Sequence, residues 1–149
     1  MKWGELIMSK GQSLIELLIA LGIFLAMVSV VAFLLIDGYI SNLQASQNSQ
    51  AISLAEEGIE AVRSIRDSSW DSLTAGPHGL TISGNNWIFQ GGQEDVSHRL
   101  REGIRKIIVE EIGSDRKKVI SQITWELIPA RPQELGLVTY LTNWQKYSE

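Results

Sequence analysis

The 149-residue chain contains no cysteine, which excludes a disulfide, a thiolate metal site and a lipid attached through Cys. Proline is scarce: three residues, none before Pro77, so nothing in the first half of the chain has to break a helical hydrogen-bond ladder. Positive charge is also in short supply. The formal net charge is −4, and because residues 1–11 carry +1 (Lys2 and Lys10 against Glu5), the remainder sits near −5. That balance argues against nucleic-acid binding, which generally needs a basic face, although a local basic patch is compatible with it. Charge of either sign is missing altogether from Leu17 to Ile36.

Those 20 uncharged residues end at Asp37. As a helix they span about 30 Å, the thickness of a bilayer's hydrocarbon core. Lys2 and Lys10 precede the run and place the N-terminus in the cytoplasm by the positive-inside rule. A cleaved secretory signal has an apolar core of about 7–15 residues followed by small residues at its cleavage site. Here the core is longer and no Ala-x-Ala pattern follows. A plain signal anchor fits the length but leaves Glu16, just inside the span, without a reason. A carboxylate in a membrane helix is costly and usually marks function.

Lys10-Gly11-Gln12-Ser13-Leu14-Ile15-Glu16, leading into Leu17-Leu18-Ile19-Ala20, resembles the class III signal of type IV prepilins and pseudopilins. In that family a short basic leader ends in Gly, cleavage follows it at once, and a Glu stands four residues past the new N-terminus. The resemblance implies a cut between Gly11 and Gln12 by a prepilin peptidase, N-methylation of Gln12, and a pairing of Glu16 with the N-terminal ammonium of a neighbouring subunit. Paired charges in an apolar filament core cost far less than isolated ones. Two departures stand out. The residue after the cut is usually Phe, and an N-terminal Gln can instead cyclise to pyroglutamate, which removes the charge that Glu16 needs. Many major pilins also carry a Pro in the membrane helix; this chain has none before Pro77, which leans towards a minor pilin or pseudopilin. Where many pilins pin their C-terminal region with a disulfide, this chain must rely on packing alone.

Past the apolar run, Ser41–Ser53 is rich in Ser, Gln and Asn and reads as linker nearly as well as helix. Ile52, Ala55, Ile59 and Val62 then recur at helical spacing, with Glu56, Glu57, Glu60, Arg63 and Arg66 on other faces. Glu60 reaches Arg63 at i+3 and Arg63 reaches Asp67 at i+4. The helix is expected to continue to Asp67, about 84 Å from residue 12 at 1.5 Å per residue. Gly22 and Gly38 are its weak spots, and Gly58 is a close-packing point or mild kink. Ser68-Ser69-Trp70 marks a boundary that Gly76-Pro77-His78-Gly79 makes firm.

The rest reads as β. Leu80–Ser83 and Trp87–Gln90 flank a three-residue loop, Gly84-Asn85-Asn86. Val119, Ser121, Ile123, Trp125 and Leu127 share one face of a strand over Lys118–Leu127, and Val138, Tyr140, Thr142 and Trp144 share one side of Leu135–Trp144. Gly103–Ile112 fits an amphipathic helix, yet its β-branched Ile107-Ile108-Val109 favours a strand. The stretch from Gly103 to Trp144, with Lys117-Lys118-Val119, Ile123-Thr124-Trp125 and Leu141-Thr142-Asn143-Trp144, is similar to the C-terminal sheet of a subgroup of bacterial type IV pilin-like proteins. That similarity assigns Gly103–Ile112 as a strand.

No catalytic constellation emerges. His78 and His98 lack a ligand partner at a familiar spacing, and Glu56-Glu57 and Glu110-Glu111 are adjacent carboxylates whose side chains point apart. The loop Gly113-Ser114-Asp115 offers one carboxylate followed by Lys117 and Lys118, a poor cation site. Of five tryptophans, Trp3 falls in the leader, while Trp70, Trp87, Trp125 and Trp144 are read as core packing rather than stacking platforms.

The expectation is an α+β protein with the type IV pilin-like fold: leader 1–11, membrane and filament-core helix 12–36, helix extension 37–67, and a β-rich extracytoplasmic head 68–149 with its antiparallel sheet on the helix's outer half. Its expected role is structural and non-enzymatic, with no cofactor or metal. Partners implied by the resemblance are the prepilin peptidase, other pilin subunits, and an inner-membrane assembly platform with its ATPase. The alternatives are a pseudopilin of a type II secretion system, and a membrane-anchored binding domain that never polymerises.

Overall fold

The computed structural model describes residues 3–144, with side chains from Ser13 onward. Helix α1 runs without interruption over Trp3–Ser68. No proline breaks it, and a glycine costs a helix only about 1 kcal/mol relative to alanine, so Gly22, Gly38 and Gly58 are carried through. Arg66 in the last turn complements the negative end of the helix dipole. The chain forms two compact units, residues 1–42 and 43–149.

Among its described residues the first unit is helix alone, and its side chains face outwards. From Leu17 to Ile36 every large apolar side chain is exposed, Phe33 most of all at 71%. The helix has a stretch of mean hydropathy 2.9 and is long and apolar enough to cross a membrane.

The second unit packs sheet on helix. After α1 comes a 3₁₀ turn at Trp70–Ser72, then strands β1 (Gly76–His78), β2 (Leu80–Ser83), β3 (Asn86–Phe89), β4 (Glu94–Asp95), β5 (Ile104–Gly113), β6 (Arg116–Glu126) and β7 (Pro132–Thr142). β1, β5, β6 and β7 lie side by side in that order, β4 also pairs with β5, and β2–β3 forms a separate hairpin; every pairing is antiparallel. The architecture is therefore α+β, a long N-terminal helix with a C-terminal antiparallel sheet, and Ile104–Gly113 is a strand.

The polar stretch Ser41–Ser53 is helix rather than linker. Tertiary partners make it so: Ala51 and Leu54 are buried against Val96, Leu100, Ile123 and Trp125, and the Trp125 indole Nε1–H donates to Gln47 Oε1 at 2.9 Å. The buried stripe is also wider than expected. It includes Ala51, Leu54, Ala55, Ile59, Ala61, Val62 and Ile65, whereas Ile52 is 41% exposed. A fully buried Val, Leu or Ile contributes about 1.5–3 kcal/mol, so this face of α1 and the sheet over it hold the unit together.

Three further corrections concern the strands. The β2–β3 loop has two residues, not three, because Ser83 pairs with Asn86. Gly84 (φ 57°) and Asn85 (φ 72°) both take the left-handed conformation, which matches the right-handed twist of a tight hairpin. Gly76-Pro77-His78 is a short edge strand on β5 as well as a chain breaker. In β7 the side chains that face inward are the opposite set from those expected. Leu135, Leu137 and Thr139 register with Ile123, Ser121 and Val119 and so share their inner face, which leaves Val138, Tyr140 and Trp144 at 54%, 62% and 50% exposure.

Candidate functional site

Glu16 sits on a continuous helix, with Ser13 before it and apolar side chains beside and after it. Leu14, Ile15, Leu17 and Leu18 are all more than half exposed, so the carboxylate is set in an apolar outward-facing surface. Two shallow grooves run past it, one along Ser13, Leu14, Leu17 and Ala20, the other along Ile15, Ile19, Ala20 and Ile23. They are the spaces between ridges of side chains three and four apart, and Ala20, lining both, keeps them open to a neighbouring helix.

The electrostatics of this position are simple. Glu16 forms no ion pair among the described residues. No cation exists from Leu17 to Ile36, and Lys10 stands six residues before Glu16, off the i±3 and i±4 spacings that bring helical side chains together. Gln12 is four residues before it, on the same helical face. Gly11 and Gln12 lie outside the residues whose side chains are described.

In the second unit the titratable groups are engaged in holding elements together. The His78 Nε2–H donates to the Thr74 carbonyl at 2.8 Å, and its ring stacks on Phe89 with centroids 4.3 Å apart. His98 is exposed in a turn. The adjacent carboxylates do diverge: Glu110 meets Lys118 and Glu111 meets Lys117 across β5–β6, while Glu57 meets Arg99 and Arg105 and Glu56 faces solvent. Glu110 holds the Lys118 ammonium above its usual range. Among the described residues no group of three or more His, Asp or Glu side chains converges to hold a metal. Arg63 pairs with Glu60, and Asp67 accepts from Arg66 Nε at 2.8 Å and from the Trp144 indole at 3.2 Å. Those hydrogen bonds, Arg66's first, hold the Asp67 carboxyl below its ordinary 3.8.

Two buried cations were not anticipated. Arg105 is 1% exposed; its Nε and Nη2 donate to the two oxygens of Glu94 at 2.8 and 3.0 Å, and Nη1 donates to the Leu54 carbonyl at 3.0 Å. Gly58 lies beside it, where a Cβ would be in ordinary contact with Arg105 Cδ at 3.4 Å but only 2.5 Å from Ser121 Oγ. Lys117 is also buried, donating to the Leu73 carbonyl with its ammonium 5.2 Å from the centre of the Trp70 ring. The signal for both was parity: Arg105 shares the phase of Ile107 and Val109, and Lys117 that of Val119 and Ser121.

Of the tryptophans, Trp125 is buried, and Trp70 and Trp87 pack on the upper core formed by Val62, Ile65, Leu73 and Ile107, whereas Trp144 is half exposed. Together the fold and this position define a class: an α+β protein whose long N-terminal helix is apolar enough to cross a membrane and carries, at the start of its uncharged run, a carboxylate with no ion pair among the described residues. Comparison with protein families, characterised proteins and solved structures finds no match.

Proposed function

We propose that this chain is a structural subunit, a minor pilin, of a type IV pilus or related filament. Before assembly it is held as a single-pass protein in the inner membrane, with its N-terminus in the cytoplasm and residues 68–149 outside. A prepilin peptidase cuts between Gly11 and Gln12 and methylates Gln12. The observation that carries the reading is the position of Glu16: a carboxylate with no ion pair among the described residues, four residues past Gln12 on one helical face, at the head of the uncharged run to Ile36.

The chemistry follows from that position. In a layer of apolar helices, a lone carboxylate is expensive and a carboxylate beside an ammonium is much less so. A subunit whose Glu16 meets the Gln12 α-amino group of a neighbour is therefore drawn into one axial register. The grooves beside Glu16 admit the neighbour's side chains. An assembly platform driven by its ATPase supplies the work of extraction. No group in the head is needed as a catalyst.

Mass spectrometry of sheared surface filaments tests this reading. The expected result is a mature N-terminus at Gln12 carrying a methyl group, and a Glu16→Ala variant that is inserted and cut but depleted from filaments. Incorporation of Glu16→Ala at the wild-type level overturns the pairing, and retention of residues 1–11 favours a membrane-anchored binding domain instead. A pyroglutamate at residue 12 removes the cation and with it the pairing. The uninterrupted, proline-free α1 supports a second reading, a pseudopilin of a type II secretion system. Recovery of the processed subunit only from the periplasm distinguishes it.

A further inference from the structure

The two edges of the main sheet are unlike. One is formed by two short strands on β5, the three-residue β1 with Pro77 at its centre and the two-residue β4, an edge blunted by shortness and proline. The other is β7, 11 residues long, and among the described residues no strand pairs with its outer side. Natural proteins guard such edges with Lys, Pro, a bulge or a covering element. In β7, Pro132 and Glu134 guard only the start; from Leu135 to Thr142 there is no charge and no proline, and the irregularity in the sheet lies in β5, at Glu111–Gly113.

The helix does not cover this edge. A groove of about 440 Å³ opens between β7, at Leu137 and Thr139, and the α1 residues Glu56, Ile59, Glu60 and Arg63. The inner face stays incomplete there: Leu137 and Thr139 are half-buried, whereas Ser121 and Val119 opposite them on β6 are fully buried. Glu60 is paired with Arg63, but Glu56 is exposed and makes no ion pair among the described residues. The groove thus presents unpaired main chain on one wall, an apolar floor, and a free carboxylate on the other wall.

We propose that the β7 edge is a strand-addition site for an extended segment of a partner polypeptide. Backbone hydrogen bonds to Leu135–Thr142 supply the affinity. Specificity comes from alternate side chains on one face of the added strand, apolar over Ile59 and Leu137 and basic against Glu56. A second copy of this chain offers no basic edge strand to meet Glu56: its own β7 carries Glu134 and no cation, β1 is proline-blocked, β2 and β3 are uncharged, and β4 (Glu94–Asp95) is acidic. The occupant is a different chain, and the inference stands whether or not this protein polymerises.

The test uses the full chain in detergent micelles and a fluorescent synthetic peptide of about ten residues, a usual strand length. Threonines occupy one face of the peptide, and valines with one central lysine occupy the other. Anisotropy should show saturable binding that a scrambled peptide of the same composition does not. An added strand uses the N–H of every second residue only, so methylating one alternate set of peptide nitrogens should weaken binding about a hundredfold and methylating the other set should leave it intact. Glu56→Lys, a change at an exposed position, should weaken the lysine peptide about fivefold and favour one with glutamate in its place. Equal binding of the scrambled peptide, or equal effects of the two methylated sets, overturns the proposal. Self-association of the chain that the peptide fails to displace also overturns it, because a second copy then occupies the edge.

Discussion

Gly58 carries more of the head's packing than its size suggests. A methyl group there would sit 2.5 Å from Ser121 Oγ and 3.1 Å from Ile107 Cδ1, and Ser121 Oγ is itself buried without a hydrogen-bond partner among the described residues. Gly58→Ala gains about 1 kcal/mol of helix propensity but overpacks this contact by about 1–3 kcal/mol. A net loss of about 1 kcal/mol is expected in urea unfolding. Ser121→Ala should be neutral or stabilising, and it should relieve most of the cost in the double variant; additive effects would show that the two positions are not in contact. Asp67 and Trp144 offer a pH test at the other end of the helix. The carboxyl is held below 3.8 by Arg66 and then by the Trp144 indole. A depressed carboxyl stabilises above its unfolded pKa, and that contribution fades as pH falls through the lower, folded value. Fluorescence of Trp144 in a chain whose other tryptophans are replaced by Phe should therefore change below pH 3.8, and Asp67→Asn should remove the transition.

Among the elements, β4 and β5 are tied to α1 through one buried cation. Arg105 is buried beneath Glu94, Glu57 and the Leu54 carbonyl. Removing one partner of a buried ion pair costs about 3 kcal/mol or more, whereas replacing the charge by an apolar side chain of similar volume is often neutral. Glu94→Ala is therefore expected to lower thermal stability more than Arg105→Met, and the reverse order would assign Glu94 a solvated, dispensable role. The period-2 pattern of β6 was legible at once because its inner face carries Val119, Ser121, Ile123 and Trp125. The phase of β7 was not legible, since Leu135, Leu137 and Leu141 on one face and Val138, Tyr140 and Trp144 on the other are equally apolar. Hydrogen-bond register to β6 decides which set is buried.

Of the two units, the first is helix with its large apolar side chains exposed from Leu17 to Ile36, and the second has two adjoining cores. The lower core joins Leu54 to Trp125, and the upper joins Val62 to Val119. Leu43 begins the second unit. A fragment of residues 43–149 should fold in water without detergent and melt in a single cooperative transition by circular dichroism; aggregation of that fragment would mean that the apolar helix is needed for the head to fold. The candidate site behaves in the opposite way. Glu16, the uncharged run after it and the Gly11-Gln12 pair before it are consecutive in the chain, so their spacing on a helix is set by local geometry and can be read without a fold. The same holds for the length of α1 through Ile36, where composition leaves no alternative. Helix over Ser41–Ser53, the burial of Arg105 and Lys117, and the open edge of β7 are contacts between residues distant in sequence. Their energies depend on which surfaces meet, and only the tertiary structure brings those surfaces together.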